Sequence, residues 1–293
     1  MFIDIPESLS KVAERIESAL ESYFPETDSS NGLTEAMKYS LLGGGKRVRA
    51  YLTVSFAKMY GASEEAALAY ACALEMIHAY SLIHDDMPCM DDDDMRRGKP
   101  SCHKKFGEAI ALLAGDSLLT MAFEVCASNP YVTDRSVALA VKTLATLAGY
   151  AGMCGGQELD LFDTVESYRD LSKIHSLKTS ALIKAACLLG LYAANDDPDM
   201  ETVKSISEYA ECLGIAFQIH DDILDVTSDT ETLGKPVGSD EKNNKKTIMS
   251  FMTLDQAKEL EYNLTRKAIA SIADCPENER PAQLAVWLMS RNK

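Results

Sequence analysis

An all-α chain built as a single domain is what this sequence predicts, and three features carry that expectation. Apolar residues recur at helical spacing over nearly the whole length. Alternating β-branched runs of strand length are missing. The breaks between periodic segments lack the Ser/Pro/Gly composition of a flexible linker, so residues 1–293 are read as one domain. With 46% hydrophobic residues the chain can bury a large core, and only 9 Pro and 16 Gly argue against a fibrous or disordered one.

The elements follow in order. A first amphipathic helix covers 8–23, entered through a turn at Pro6. A second covers about 46–60 and stops at Gly61. Ser63 then caps a long helix that runs to Met87 without Gly or Pro, with Glu65 near its start. The same pattern returns over 109–127, 134–149, 165–178, 180–194, 200–226, 255–273 and 281–291. Residues 88–103, 151–163 and 227–247 are the main polar or glycine-containing breaks. No fixed period recurs, which disfavours a solenoid. One short phrase does recur: Ile83-His84-Asp85-Asp86 and Ile219-His220-Asp221-Asp222 stand near the ends of two apolar helices.

Charge narrows the function classes. The net charge of −16 makes a poor generic nucleic-acid binder, because phosphate contacts need clustered Lys and Arg. The opening MFIDIPESLS has no basic n-region and no long apolar stretch, and no run reaches ~18 uninterrupted apolar residues. Neither a secretory signal nor a membrane span is expected, and the chain is read as soluble and cytoplasmic. The 8 cysteines never form C-x-x-C, and the 5 histidines never form H-E-x-x-H. The cysteines are read as buried core residues in a reducing compartment rather than a disulfide or zinc framework.

The chemistry concentrates in two acidic clusters. Asp85, Asp86, Asp91, Asp92, Asp93 and Asp94 crowd one short stretch at the mouth of an apolar helix. Such carboxylates repel unless they are solvated or hold cations, and hard oxygen donors suit magnesium or calcium. Pro88 ends the helix and lets the chain turn back, so that Asp91 approaches Asp85. The EF-hand spacing fails, with its central Gly and final Glu missing. In the second cluster, Asp221 and Asp225 stand at i and i+4 on one helix face, beside Asp222. Acid–base catalysis by a carboxylate pair is the competing reading, and it needs only one cluster. Basic residues accompany the acids: Arg96 and Arg97 after the first, Lys46 and Arg49 after Gly43-Gly44-Gly45, then Lys178-Thr179, Lys235 and Lys245-Lys246-Thr247. The glycine run is not a Walker loop, since Arg follows Lys46 and no strand precedes it. Cations beside aspartates in so acidic a chain suggest phosphate sites.

Taken together, Gly-Gly-Lys46-x-x-Arg49, the first Asp-rich motif with Arg96-Arg97, Gly-Gly-Gln157-x-x-Asp160, Lys178-Thr179 and Phe217-Gln218-x-x-Asp221-Asp222-x-x-Asp225 resemble the trans-isoprenyl diphosphate synthases. The likeness is to their bacterial farnesyl-forming members and runs from about residue 33 to the terminal Arg291-Asn292-Lys293. It implies an all-α homodimer whose helices surround a deep cavity. It also implies condensation of isopentenyl diphosphate with dimethylallyl and geranyl diphosphate to give farnesyl diphosphate. Residue by residue, it implies that Asp85, Asp91 and Asp221 hold three magnesium ions on the allylic diphosphate, with Asp86 and Asp225 supporting and Asp222 among the catalytic residues. Arg96, Lys178, Lys235 and Lys245 would contact that diphosphate, and Thr179 and Gln218 would line its reacting end. Lys46, Arg49, His78 and Arg97 match the isopentenyl diphosphate site, and Tyr80 with Ser81 would set product length. The late family motif departs here to Asn-Lys245-Lys246-Thr247-Ile. Rival readings are a geranylgeranyl or geranyl synthase, a terpene cyclase, or an inactive helical interaction subunit.

Overall fold

The apolar period becomes helix wherever it was expected, and helices form in three further places. The computed structural model describes residues 3–24, 32–162, 164–227 and 246–291. Contacts group them into two compact units: Pro6–Leu144 with Leu188–Asp197, and the described parts of 1–5, 145–187 and 198–293.

In the first unit, α1 (Ile5–Ser22) takes Pro6 into its first turn, where the missing N–H costs nothing. Then come α2 (Gly32–Leu41), α3 (Val48–Met59) and α4 (Glu64–Asp85). Ser63 caps α4 by accepting from Ala66 N at 3.2 Å, while Glu64 and Glu65 lie at its positive end. From Ala66 to Ile83 nearly every side chain of α4 is buried, as a helix apolar all round requires. After it come a hairpin of β1 (Met95–Arg96) and β2 (Lys99–Pro100), then α5 (Cys102–Phe106), α6 (Glu108–Ala127) and α7 (Asp134–Ala148). α6 packs on α4 through a close approach, because a Cβ on Gly115 would sit 2.1 Å from His84 Nε2. The last part of α10 (Ala181–Ala194) belongs here too, with Gly190 against the Thr53 carbonyl of α3.

The second unit holds α8 (Met153–Phe162) and α9 (Tyr168–His175), which a Ser167–Asp170 capping box opens. A π-helical turn (Ser176–Ser180) joins α9 to α10. The long α11 (Met200–Thr227) packs on α12 (Leu254–Ser271), itself boxed by Thr253 and Gln256, and α13 (Glu279–Leu288) follows. Leu171, Ile215, Ile219, Ile223 and Ile248 form the core of this unit.

Several boundaries correct the sequence reading. Residues 153–162 are helical, not a break; their glycines serve contact, since a Cβ on Gly156 would meet Lys178 N at 2.3 Å. α2 and α5 lie outside the periodic segments identified. Five cysteines are buried and all 8 are free, but Cys89 and Cys154 are exposed. Against the expectation of no span, four helical stretches among the described residues are long and apolar enough to cross a membrane by length and composition. The uninterrupted-run criterion misses them because a few polar residues punctuate each. Glu64–Asp85 is 78% buried by the protein itself, whereas Glu108–Ala127 is only 39% buried.

Candidate active site

The first acidic cluster is shaped by the end of α4. Past Asp85 the chain folds back: Asp91 N donates to the Asp85 carbonyl at 2.9 Å, and Asp92 N to that of Met87 at 3.1 Å. The expected return of Asp91 to Asp85 is therefore present in the backbone. Asp86 points elsewhere. It is 2% exposed, and Arg96 Nε reaches both its oxygens at 2.9 and 3.2 Å while Nη2 bonds the first. Burial pushes the Asp86 carboxyl up, against the pull of Arg96. Asp92 and Asp94 of this loop and the buried His103 of α5 bring potential ligand atoms within 4.8 Å of one another, and Lys104 bridges Asp94 at 2.8 Å. An Asp-rich acidic turn is thus present among the described residues.

Beside it in the same unit lies a cationic group. Gly44 and Gly45 have φ of 80° and 127°, a backbone that glycine adopts without a Cβ clash. A Cβ on Gly45 would be 2.9 Å from the Arg97 guanidinium, whose Nη1 donates to the Gly44 carbonyl. Arg49 Nη1 lies 3.4 Å from His78 Nε2. Burial first, then Arg49, Arg97, Arg47 and Arg96, hold His78 well below the usual imidazole range. It is therefore a neutral acceptor for Arg49. Burial also lowers Arg49 and Arg97, each with another arginine adding to the effect. Cations pressed together in this way favour an added anion. A cleft runs alongside, lined by Ser40, Gly43, Ile83, Asp86, Arg96 and Arg97 among others.

The second unit carries the other set. Lys178 sits in the π-turn and donates to Asp160 at 2.6 Å, which accounts for the Asp160 of the glycine-containing segment. Thr179 Oγ1 donates to Gln218 Oε1 at 3.2 Å. Gln157 is buried, and its amide N and O make no hydrogen bond, a cost that a native chain accepts rarely. At the second acidic cluster Asp222 is buried and accepts from Ile248 N at 2.8 Å, so it anchors the chain after α11. Asp225 is buried and Asp221 half-buried. Arg291 bonds Asp221 and lies 3.9 Å over the Phe217 ring. His220 bridges the Arg291 carbonyl at 3.0 Å and Glu261 at 2.7 Å. Lys235 and Lys245 lie outside the described residues.

Sequence reasoning assigned no role to Arg47, Glu75, Asp160 or Arg291. Glu75 had a signal: it is a lone carboxylate inside the apolar run of α4. The Arg291–Asp221 pair, 70 residues apart, had none.

Comparison with known proteins shows the family. Residues 30–282 match the family model described as polyprenyl synthetase. The chain is 42% identical to a farnesyl diphosphate synthase of Haemophilus influenzae, over 97% of this chain and 98% of that one. It is also 42% identical to the Escherichia coli farnesyl diphosphate synthase, over 99% and 100%. Among solved structures, an FPP/GFPP synthase from Zymomonas mobilis superposes with a TM-score of 0.87 at 31% identity, covering 99% of this chain and 100% of that one. The chain belongs to the polyprenyl synthetase family.

Proposed function

We propose that the chain is a trans-prenyltransferase that condenses isopentenyl diphosphate with dimethylallyl and then geranyl diphosphate, releasing farnesyl diphosphate and diphosphate. The observation that carries this reading is the pairing, within one unit, of the Asp85–Asp91 turn with a separate cationic group, Arg49 and Arg97 around the neutral His78. A terpene cyclase or a plain cation-binding protein has no use for that second group.

Asp85, Asp91 and Asp221 are the proposed magnesium ligands, three ions in all, and their all-carboxylate donor set suits that hard ion. Magnesium, when bound, supplies positive charge to the departing diphosphate. Arg96, Lys178, Lys235 and Lys245 add fixed cations to the same group, with Asp86 orienting Arg96 and Asp160 orienting Lys178. The allylic C–O bond breaks and its electron pair leaves with the diphosphate. The π pair of isopentenyl diphosphate, held through Lys46, Arg49, His78 and Arg97, forms the new C–C bond. A proton from the adjoining carbon passes to the released diphosphate, and the new double bond closes. Thr179 and Gln218, bonded to each other, present oxygen dipoles to the developing cation.

Three further parts belong to this reading. The chain acts as one synthase domain, as the single family match over 30–282 supports. It works in the cytoplasm and as a homodimer, the dimer being supported by the apolar and largely uncovered α6, with Leu112 and Leu113 exposed. Tyr80, buried on the α4 face that also carries His84, closes the chain pocket with Ser81 above it. The test is substrate dependence: organic product from geranyl diphosphate should require isopentenyl diphosphate. Cyclic or hydrolysed product from the allylic substrate alone would overturn the proposal.

A further inference from the structure

One buried ion pair lies between the proposed isopentenyl diphosphate ligands and takes no part in the chemistry above. Arg47 stands between Lys46 and Arg49, and its backbone is left-handed, with φ 49° and ψ 37°. Residues with a Cβ avoid that conformation unless their surroundings enforce it. The guanidinium is the enforcement. It is almost wholly buried and donates from Nη1 to Glu75 at 2.9 Å, from Nε to Glu17 at 2.9 Å and from Nη2 to the Leu41 carbonyl at 2.5 Å. Glu75 is 2% exposed, and its other oxygen accepts Ala50 N at 3.1 Å in the first turn of α3. One side chain thus ties α1, the end of α2 and the middle of α4 around the glycine turn. Glu75 also stands three residues before His78 on α4, and His78 is the residue that Arg49 approaches.

We infer that Arg47 and Glu75 are positioning residues for isopentenyl diphosphate: they fix the turn that presents Lys46 and Arg49, and Glu75 keeps the Arg47 charge from the anion. A buried pair kept for stability alone is easily replaced, since apolar substitutes are often as stable. This one instead spends its hydrogen bonds on a strained residue flanked by two proposed ligands. The inference rests on the reading of Lys46 and Arg49 given above.

The test is steady-state kinetics on the full chain carrying Arg47→Gly with Glu75→Gln. Glycine accepts the left-handed backbone, and glutamine still accepts Ala50 N without leaving a buried charge. The KM for isopentenyl diphosphate should rise about tenfold or more, as small misplacements of binding groups do, while the allylic KM and kcat stay within about threefold. Glu17→Gln, on the half-exposed side of the network, should raise the same KM by a smaller factor without loss of fold. If the double variant does not fold, that single variant decides the matter. Unchanged KM values, or equal rises for both substrates, would overturn the inference. Failure of the unmodified chain to consume isopentenyl diphosphate would instead overturn the proposed function.

Discussion

Replacing Tyr80 by alanine should lengthen the product. Tyr80 is 6% exposed, and its ring meets that of His84 edge-on at 5.8 Å. It precedes Asp85 by five residues, which places it about 7.5 Å further down α4 from the diphosphate end. Five extra carbons buried at about 0.8 kcal/mol each are worth about 4 kcal/mol. That corresponds to a bias of about a thousandfold, enough to change the major product rather than add a trace. The cost falls on stability: truncating a buried aromatic takes about 3–5 kcal/mol, a large share of a typical 5–15 kcal/mol. The assay therefore runs at low temperature on protein shown to be folded, with radiolabelled isopentenyl diphosphate and chromatography of the dephosphorylated alcohols. Tyr80→Ala should give twenty-carbon or longer product, whereas Tyr80→Phe, which keeps the ring, should still stop at fifteen. A folded Tyr80→Ala protein releasing only the fifteen-carbon product would refute the placement of the floor.

Other expected outcomes follow from the same structure. Asp85→Ala or Asp221→Ala should lower turnover by about a hundred- to a thousandfold with the circular dichroism spectrum intact; a loss of a few-fold with unchanged magnesium dependence would contradict their role. His175 is pushed down to about 4, first by burial and then by Lys178, against the pull of Asp160. Between about pH 6.5 and 4 the unfolded chain therefore binds the extra proton, and this stability is full above that window and lost as pH falls through it. Thermal midpoints measured across that range should drop less steeply in His175→Gln, and identical slopes would count against the assignment. Leu113→Asp on the uncovered α6 should convert a dimer into a monomer by light scattering; a dimer of unchanged mass would place the interface elsewhere.

The helices were legible because their apolar faces are long and their ends are marked, as Ser63 and Gly61 mark the two sides of one turn. Residues 153–162 were not, because two adjacent glycines read as a break, when Gly156 lets α8 touch the backbone at Lys178 and Gly155 lies against the Tyr150 carbonyl. Both acidic clusters and their flanking cations stood out as local patterns. What each carboxylate does was less legible, since it depends on partners remote in sequence. Asp85 and Asp86 are adjacent, yet Asp86 is taken up by Arg96 at the hairpin. Asp221 and Asp222 are adjacent too, yet one meets Arg291 and the other Ile248 N. The left-handed backbone of Arg47 was equally silent, because arginine gives no local signal for it and only Glu17, Leu41 and Glu75 enforce it.

The most direct test of the central claim is one product analysis. The unmodified chain is incubated with magnesium, labelled isopentenyl diphosphate and either dimethylallyl or geranyl diphosphate, and the labelled alcohols are identified after phosphatase treatment. Farnesol as the major product from both primers is the predicted result. A major product of ten, twenty or more carbons would contradict the assigned chain length, and no labelled product from either primer would contradict the prenyltransferase activity itself.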